Sequence, residues 1–93
     1  TLEQVQEAIL KLIMKLSVLT QQEIDNAQDG EIKNGCLILN QQEYEEKAFQ
    51  NRKDFKFVIA KNLKTVSAEL FSQSSLQLAF MPEVESIANE AFL

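Results

Sequence analysis

The chain contains no histidine and no tryptophan, and it has only one cysteine, one proline and two glycines among its 93 residues. Without histidine it can form no serine–histidine or cysteine–histidine catalytic pair, and it has no imidazole to ligate a metal. The single cysteine, Cys36, excludes an intrachain disulfide and is too few for a thiolate zinc site. We therefore expect no enzymatic activity, no cofactor and no bound metal.

Long apolar runs are also missing. A membrane-spanning helix needs about 18 or more apolar residues, whereas the stretch from Ala8 to Met14 is interrupted by Lys11. No signal peptide pattern is present. Cys36 is expected to pack as a small apolar residue, and a lone cysteine is typical of a reducing compartment. The chain is therefore predicted to be a soluble cytoplasmic protein without a membrane partner. It begins at Thr1 rather than Met, as a fragment of a longer protein would.

The composition is that of a globular chain, with 45% hydrophobic and 25% charged residues, and it predicts a single domain over residues 1–93. The formal net charge of −5 disfavours general binding to nucleic acid, because the phosphate backbone attracts clustered cations. Five basic residues do gather in the middle of the chain: Arg52, Lys53, Lys56, Lys61 and Lys64. This cluster keeps open an accessory nucleic-acid-binding or transcription-regulating role.

Apolar periodicity predicts a first helix at the start of the chain. Its apolar residues recur at alternating steps of three and four, which places them on one inner seam: Leu2, Val5, Ile9, Leu12, Leu16 and Leu19. Thr20 followed by Glu23 forms a capping-box pattern and predicts a short second helix, which ends near Asp29 and Gly30.

The remaining pattern favours more helices. Asn34-Gly35 predicts a tight turn and allows a short β-hairpin around residues 31–39. Asn40 with Glu43 indicates a third helix, and Pro82 suits the first turn of a last one. A fourth, long helix is predicted from five residues at helical spacing: Phe55, Ile59, Leu63, Val66 and Leu70. Residues 76–80 fit either a strand or a helical turn, and no internal repeat is evident. The fold prediction is an all-α bundle of four to five helices.

Three motifs have a functional and a structural interpretation. Residues 25–32 resemble the first part of an EF-hand loop, but Ala27 and Cys36 stand where oxygen ligands belong, so we expect no specific calcium binding. Residues 57–71 loosely suggest a helix-turn-helix, but no residue breaks the predicted helix. The acidic cluster of Glu43, Glu45 and Glu46 is better explained as a solvated surface than as a catalytic pair.

By elimination, the sequence predicts a non-catalytic protein–protein interaction module, such as an adaptor, regulator or assembly factor acting through helical surfaces. A homodimer is expected, because the first helix and the chain end together have more apolar surface than so small a bundle can bury. The candidate partner-binding residues are Leu2, Val5, Ile9, Phe92 and Leu93. The alternatives are the nucleic-acid-binding role and, least favoured, a carboxylate-dependent hydrolase.

Overall fold

The computed structural model describes residues 1–92 and shows an α+β domain. Two helices, α1 (Leu2–Ser17) and α2 (Gln21–Asn26), come first. Six short strands follow: β1 (Glu31–Lys33), β2 (Cys36–Leu39), β3 (Phe57–Ala60), β4 (Thr65–Val66), β5 (Leu78–Phe80) and β6 (Ser86–Ile87). The predicted all-α bundle is therefore wrong, and so is the helical character predicted for the domain over residues 1–93.

Local capping signals set the two helices. The Thr1 side chain caps α1 through a capping box with Gln4, and α1 ends where Val18 adopts a left-handed conformation with φ 55°. Thr20 and Glu23 form the capping box of α2. The capping box that the sequence predicts at Thr20 is confirmed.

The strands form a mixed four-stranded sheet in the order β1-β2-β3-β5 and a two-stranded sheet of β4 and β6. Strands β1 and β2 are antiparallel and joined by Asn34 and Gly35, which have φ values of 51° and 78°. Such positive φ values are what a tight hairpin turn requires, and the predicted hairpin is confirmed. Strands β2, β3 and β5 run parallel.

Residues 36–92 form stacked coils with a constant step. Cys36 pairs with Phe57, and Phe57 pairs with Leu78, so that each parallel strand lies 21 residues after the one before it. The second ladder repeats the step, because Thr65 pairs with Ser86. This arrangement is that of a short solenoid, in which each coil packs on its neighbours. The prediction that the chain has no internal repeat is therefore wrong.

The three helices predicted after residue 40 are absent from the described part of the chain. Phe57 to Ala60 are buried on both faces of the sheet, and the parallel strand β3 replaces the start of the predicted long helix. Leu63, Val66 and Leu70 are buried as well, but they line successive sides of a coil rather than one helical face. Residues 40–56 are irregular, and the segment after Pro82 contains β6. Residues 76–80 contain strand β5.

The four-stranded sheet separates two apolar cores. One face packs against the helices, where Ile38, Ile59 and Phe80 contact a cluster that includes Leu10 and Ile13 of α1. The other face points into the coils, where a second set of buried residues gathers: Leu37, Leu39, Phe49, Phe55, Val58, Ala60, Leu63, Val66, Leu70, Phe71 and Ala91. The sheet is thus covered on both sides, by α1 and by the coil interior.

Candidate interaction surfaces

The outer stripe of α1 consists of Leu2, Val5, Leu12 and Leu16, which are 73%, 54%, 44% and 56% exposed. These residues belong to the predicted inner seam, and the seam assignment is wrong for them. Ile9 is half-buried at the edge of the stripe. Leu19 lies beyond α1 and is buried.

The reason is that α1 has more apolar surface than the sheet can cover. The residues of α1 that are buried against the sheet are Leu10, Ile13 and Ser17. Ser17 is satisfied there because its hydroxyl donates to the Ile13 carbonyl at 2.5 Å. The side of α1 that carries the regularly spaced apolar residues therefore coincides only in part with the side that faces the sheet. The apolar residues outside this overlap form the outer stripe and face solvent.

A groove runs between the N-terminal half of α1 and the end of the sheet. It has a volume of about 510 Å³ and is lined by Leu2, Glu3, Gln4, Gln6, Glu7, Phe80 and Pro82. Gln6 ties the two sides together, since its Oε1 accepts the Met81 N–H at 3.1 Å. The groove is open and combines an apolar floor with two carboxylates.

The last coil leaves two large apolar residues in solvent. Phe92 is 44% exposed, although its ring stacks on that of Phe71 with centroids 5.6 Å apart, and Ile87 is 56% exposed. Phe92 thus remains accessible, as the partner-binding prediction requires. Leu93, the other predicted residue at this end, lies outside the described residues.

The basic cluster is interleaved with other groups. Arg52 donates to both oxygens of Asp54, at 3.1 and 2.6 Å, and this hydrogen bonding raises the pKa of Arg52. Lys53 donates to the backbone carbonyl of Gln73. The other three predicted contacts, Lys56, Lys61 and Lys64, are exposed. Arg52 is thus paired with a carboxylate and Lys53 is held by a backbone carbonyl, so two of the five cations are engaged within the fold.

The remaining motifs take structural places. Phe57 to Ala60 form a strand, so the helix-turn-helix interpretation is wrong. Glu43, Glu45 and Glu46 are exposed, and Asp25 accepts a hydrogen bond from the Gln21 amide at 3.0 Å. Within residues 1–92, no group of three or more acidic or cysteine side chains is arranged to hold a metal ion.

Asp29 is the centre of a hydrogen-bond cluster that fixes the segment after β2. Its carboxylate accepts the Tyr44 hydroxyl, the Asn40 N–H at 2.7 Å and the Gln41 side-chain amide at 2.7 Å. Partial burial acts to raise the pKa of Asp29, but these hydrogen bonds outweigh it and hold the pKa below its usual value. Burial, followed by the bond to Asp29, raises the pKa of Tyr44 to about 12.

This cluster should make the free energy of unfolding depend on pH in the acidic range. Because the pKa of Asp29 is lower in the folded chain, the unfolded chain binds more protons as the pH falls through the carboxylate range. We expect the free energy of unfolding to decrease there, and the difference between the native chain and Asp29→Asn to shrink. Urea denaturation across that range measures it. A difference that stays constant with pH would contradict the assignment.

Comparison with protein-family models, curated proteins and solved structures finds no match. Cys36 offers little chemistry, because burial raises the pKa of its thiol to about 12, and its predicted packing as an apolar residue is confirmed. No helix within residues 1–92 has the length and apolar character to cross a membrane.

Sequence reasoning missed two features of these surfaces. The groove beside β5 depends on Gln6 and Met81 meeting across 75 residues, and no local pattern signals such a contact. The Asp29 cluster joins residues 11 to 15 positions apart. Its only signal in the sequence is the polar run from Asn40 to Glu43 directly after a buried strand.

Proposed function

We propose that this protein is a non-catalytic protein–protein interaction module, acting as an adaptor, regulator or assembly factor in the reducing environment of the cytoplasm. The observation that supports the proposal is the outer stripe of α1, whose four apolar residues are 44% to 73% exposed on one helix. Contiguous apolar surface of this kind on a folded chain usually marks an interface. Its helical form suits docking against another helix.

The proposed occupant of the outer stripe is α1 of a second copy. Spacing at alternating steps of three and four residues lets two helices pack along a shared seam. Glu3, Glu7, Lys11 and Lys15 step by four along a different face of α1, so the stripe itself is uncharged. A two-fold axis would place the same apolar stripe on both sides of the interface.

Sedimentation equilibrium at micromolar concentration tests this proposal. One chain has a mass of 10.6 kDa, and the native protein is expected to sediment with twice that mass. The double variant Leu12→Gln, Leu16→Gln is expected to weaken association roughly 100-fold or more, since each leucine is about half exposed and would lose, in both copies, about half of the roughly 1.5–3 kcal/mol that full burial contributes.

The matched control is Ile87→Gln, which also places an amide at an exposed apolar position, but on the last coil rather than on α1. It should leave the dimer intact. A native chain that sediments as a monomer, or a control that dissociates as readily as the double variant, would refute self-association through α1.

A further inference from the structure

Helix α1 is connected to the rest of the fold by residues 18–20 and is otherwise held by side-chain contacts. Its inner face packs on the sheet through Leu10 and Ile13. Within residues 1–92, the bond from the Met81 N–H to Gln6 is the one hydrogen bond between α1 and the strands or coils, and no ion pair joins them. Apolar contacts are non-directional, and the sheet of an identical copy offers α1 the same docking site.

The connection turns at Val18, where the backbone is strained. Its φ of 55° and ψ of 49° lie in the left-handed region, and its side chain is 79% exposed. Among the non-glycine residues with positive φ within residues 1–92, Val18 is the one with a β-branched side chain. Helices that end in this conformation usually have glycine or asparagine there, because a branched side chain crowds the backbone. A change that moves Val18 out of the left-handed region therefore relieves strain without loss of buried surface.

The part of the outer stripe nearest this turn is formed by Leu12 and Leu16. They are 44% and 56% exposed, and Leu16 lies beside Gly35 and Phe57 at the beginning of the parallel strands. Two copies that associate through this part of the stripe bring their connections 18–20 close to the two-fold axis. Exchange of helices requires such proximity, because three extended residues span at most about 11 Å.

We propose that the two copies of the dimer exchange α1, so that the helix of each packs on the sheet of the other, with Val18 as the hinge. The inference rests on the proposed self-association and deepens it, since it specifies which sheet each helix occupies. The contacts of Leu10, Ile13 and Gln6 are formed again across the dimer. Val18 leaves the left-handed region in both copies, so exchange adds interface and relieves strain at the same time.

A crosslink across the bond between Gln6 and Met81 distinguishes the two arrangements. The variant Gln6→Cys, Met81→Cys places a thiol on each side of this contact, and the buried native thiol is removed by Cys36→Ala. A short bismaleimide should convert most of the crosslinked chains into covalent dimers on a denaturing gel. The matched control, Gln6→Cys with Glu45→Cys, has its second thiol in a surface region to which α1 contributes no residue, and it should give none.

Sedimentation of the native chain and the crosslink pattern together separate this proposal from the one on which it rests. A dimer whose links between positions 6 and 81 lie mostly within one chain would overturn the exchange and leave self-association through the stripe standing. Covalent dimers at the level of the Glu45→Cys control would overturn it in the same way. A native chain that sediments as a monomer would refute both.

Val18→Gly tests the hinge. Glycine adopts the left-handed conformation freely, so the unexchanged arrangement is no longer strained. The ratio of interchain to intrachain links should then fall roughly 30-fold or more, because the strain of two hinges is involved. Val18→Ile keeps the β-branch and should leave the ratio unchanged. Circular dichroism verifies that both variants fold. An unchanged ratio in Val18→Gly, or an equal fall in Val18→Ile, would overturn exchange about this hinge.

Discussion

Phe71→Ala is expected to lower the free energy of unfolding by about 3–5 kcal/mol, which is typical of removing a fully buried aromatic side chain. Phe71 is 1% exposed, and its ring lies between those of Phe49 and Phe92, with centroids 5.8 and 5.6 Å away. Phe55 meets the same ring edge-on at 6.3 Å. Truncation would leave a cavity where successive coils stack.

Urea denaturation followed by circular dichroism measures this effect, provided that unfolding is two-state. The matched control is Phe92→Ala, which removes the same atoms from a ring that is 44% exposed. Phe92→Ala should lower the free energy of unfolding by less than about half as much as Phe71→Ala, because much of the Phe92 side chain is already in contact with water. Equal losses for the two variants would contradict the central position of Phe71 in the coil stack.

Ile13→Ala is the second change with a large expected effect, a loss of about 2–5 kcal/mol. Ile13 is fully buried between α1 and the sheet, in the cluster that contains Ile38, Ile59 and Phe80. Its neighbour Leu12 faces solvent at 44% exposure. The sequence alone predicts a large loss at Leu12 and at Ile9, and the structure moves that expectation to Ile13.

Leu12→Ala is the control for this prediction and should cost less than about 1 kcal/mol when the chain is studied at concentrations that keep it monomeric. Comparing the two variants by urea denaturation tests which side of α1 contacts the sheet. A larger loss at Leu12 than at Ile13 would mean that α1 is rotated relative to its described position.

The features that the sequence predicted correctly depend on local signals. The capping box of α2 joins residues three positions apart, and the Asn34-Gly35 turn joins adjacent ones. Helix α1 follows from apolar periodicity within one segment. Such patterns can be predicted because the residues that interact are also close together in the sequence.

The coils escaped prediction for two physical reasons. Their strands are buried on both faces, so they lack the alternation that identifies a half-exposed strand. Their turns also lack the expected glycines, because non-glycine residues adopt the left-handed conformation there: Lys47, Asn51, Glu69, Gln73 and Glu90. Without turn signals, apolar residues on successive sides of a coil imitate helical spacing.

The candidate surfaces were predictable to different degrees. Leu2 and Val5 were named as partner-binding residues and are exposed, although the same pattern wrongly placed them on an inner seam. The place of β5 in the sheet, and with it the groove beside α1, could not be predicted, because both depend on strand order. Strand order depends on contacts between distant segments, such as Phe57 with Leu78.

The bond between Gln6 and Met81 has a consequence for how the chain reaches its fold. Helix α1 is synthesised before the strands, yet the sheet surface that covers Leu10 and Ile13 includes Phe80, which the ribosome adds much later. Until then, the inner face of α1 has no complete docking site within its own chain. Closure of so long a loop costs entropy before any contact repays it, so docking of α1 should come late in folding. A nascent chain that lacks β5 would expose both apolar sides of α1 at once, and chaperones or premature association would act on it during that interval.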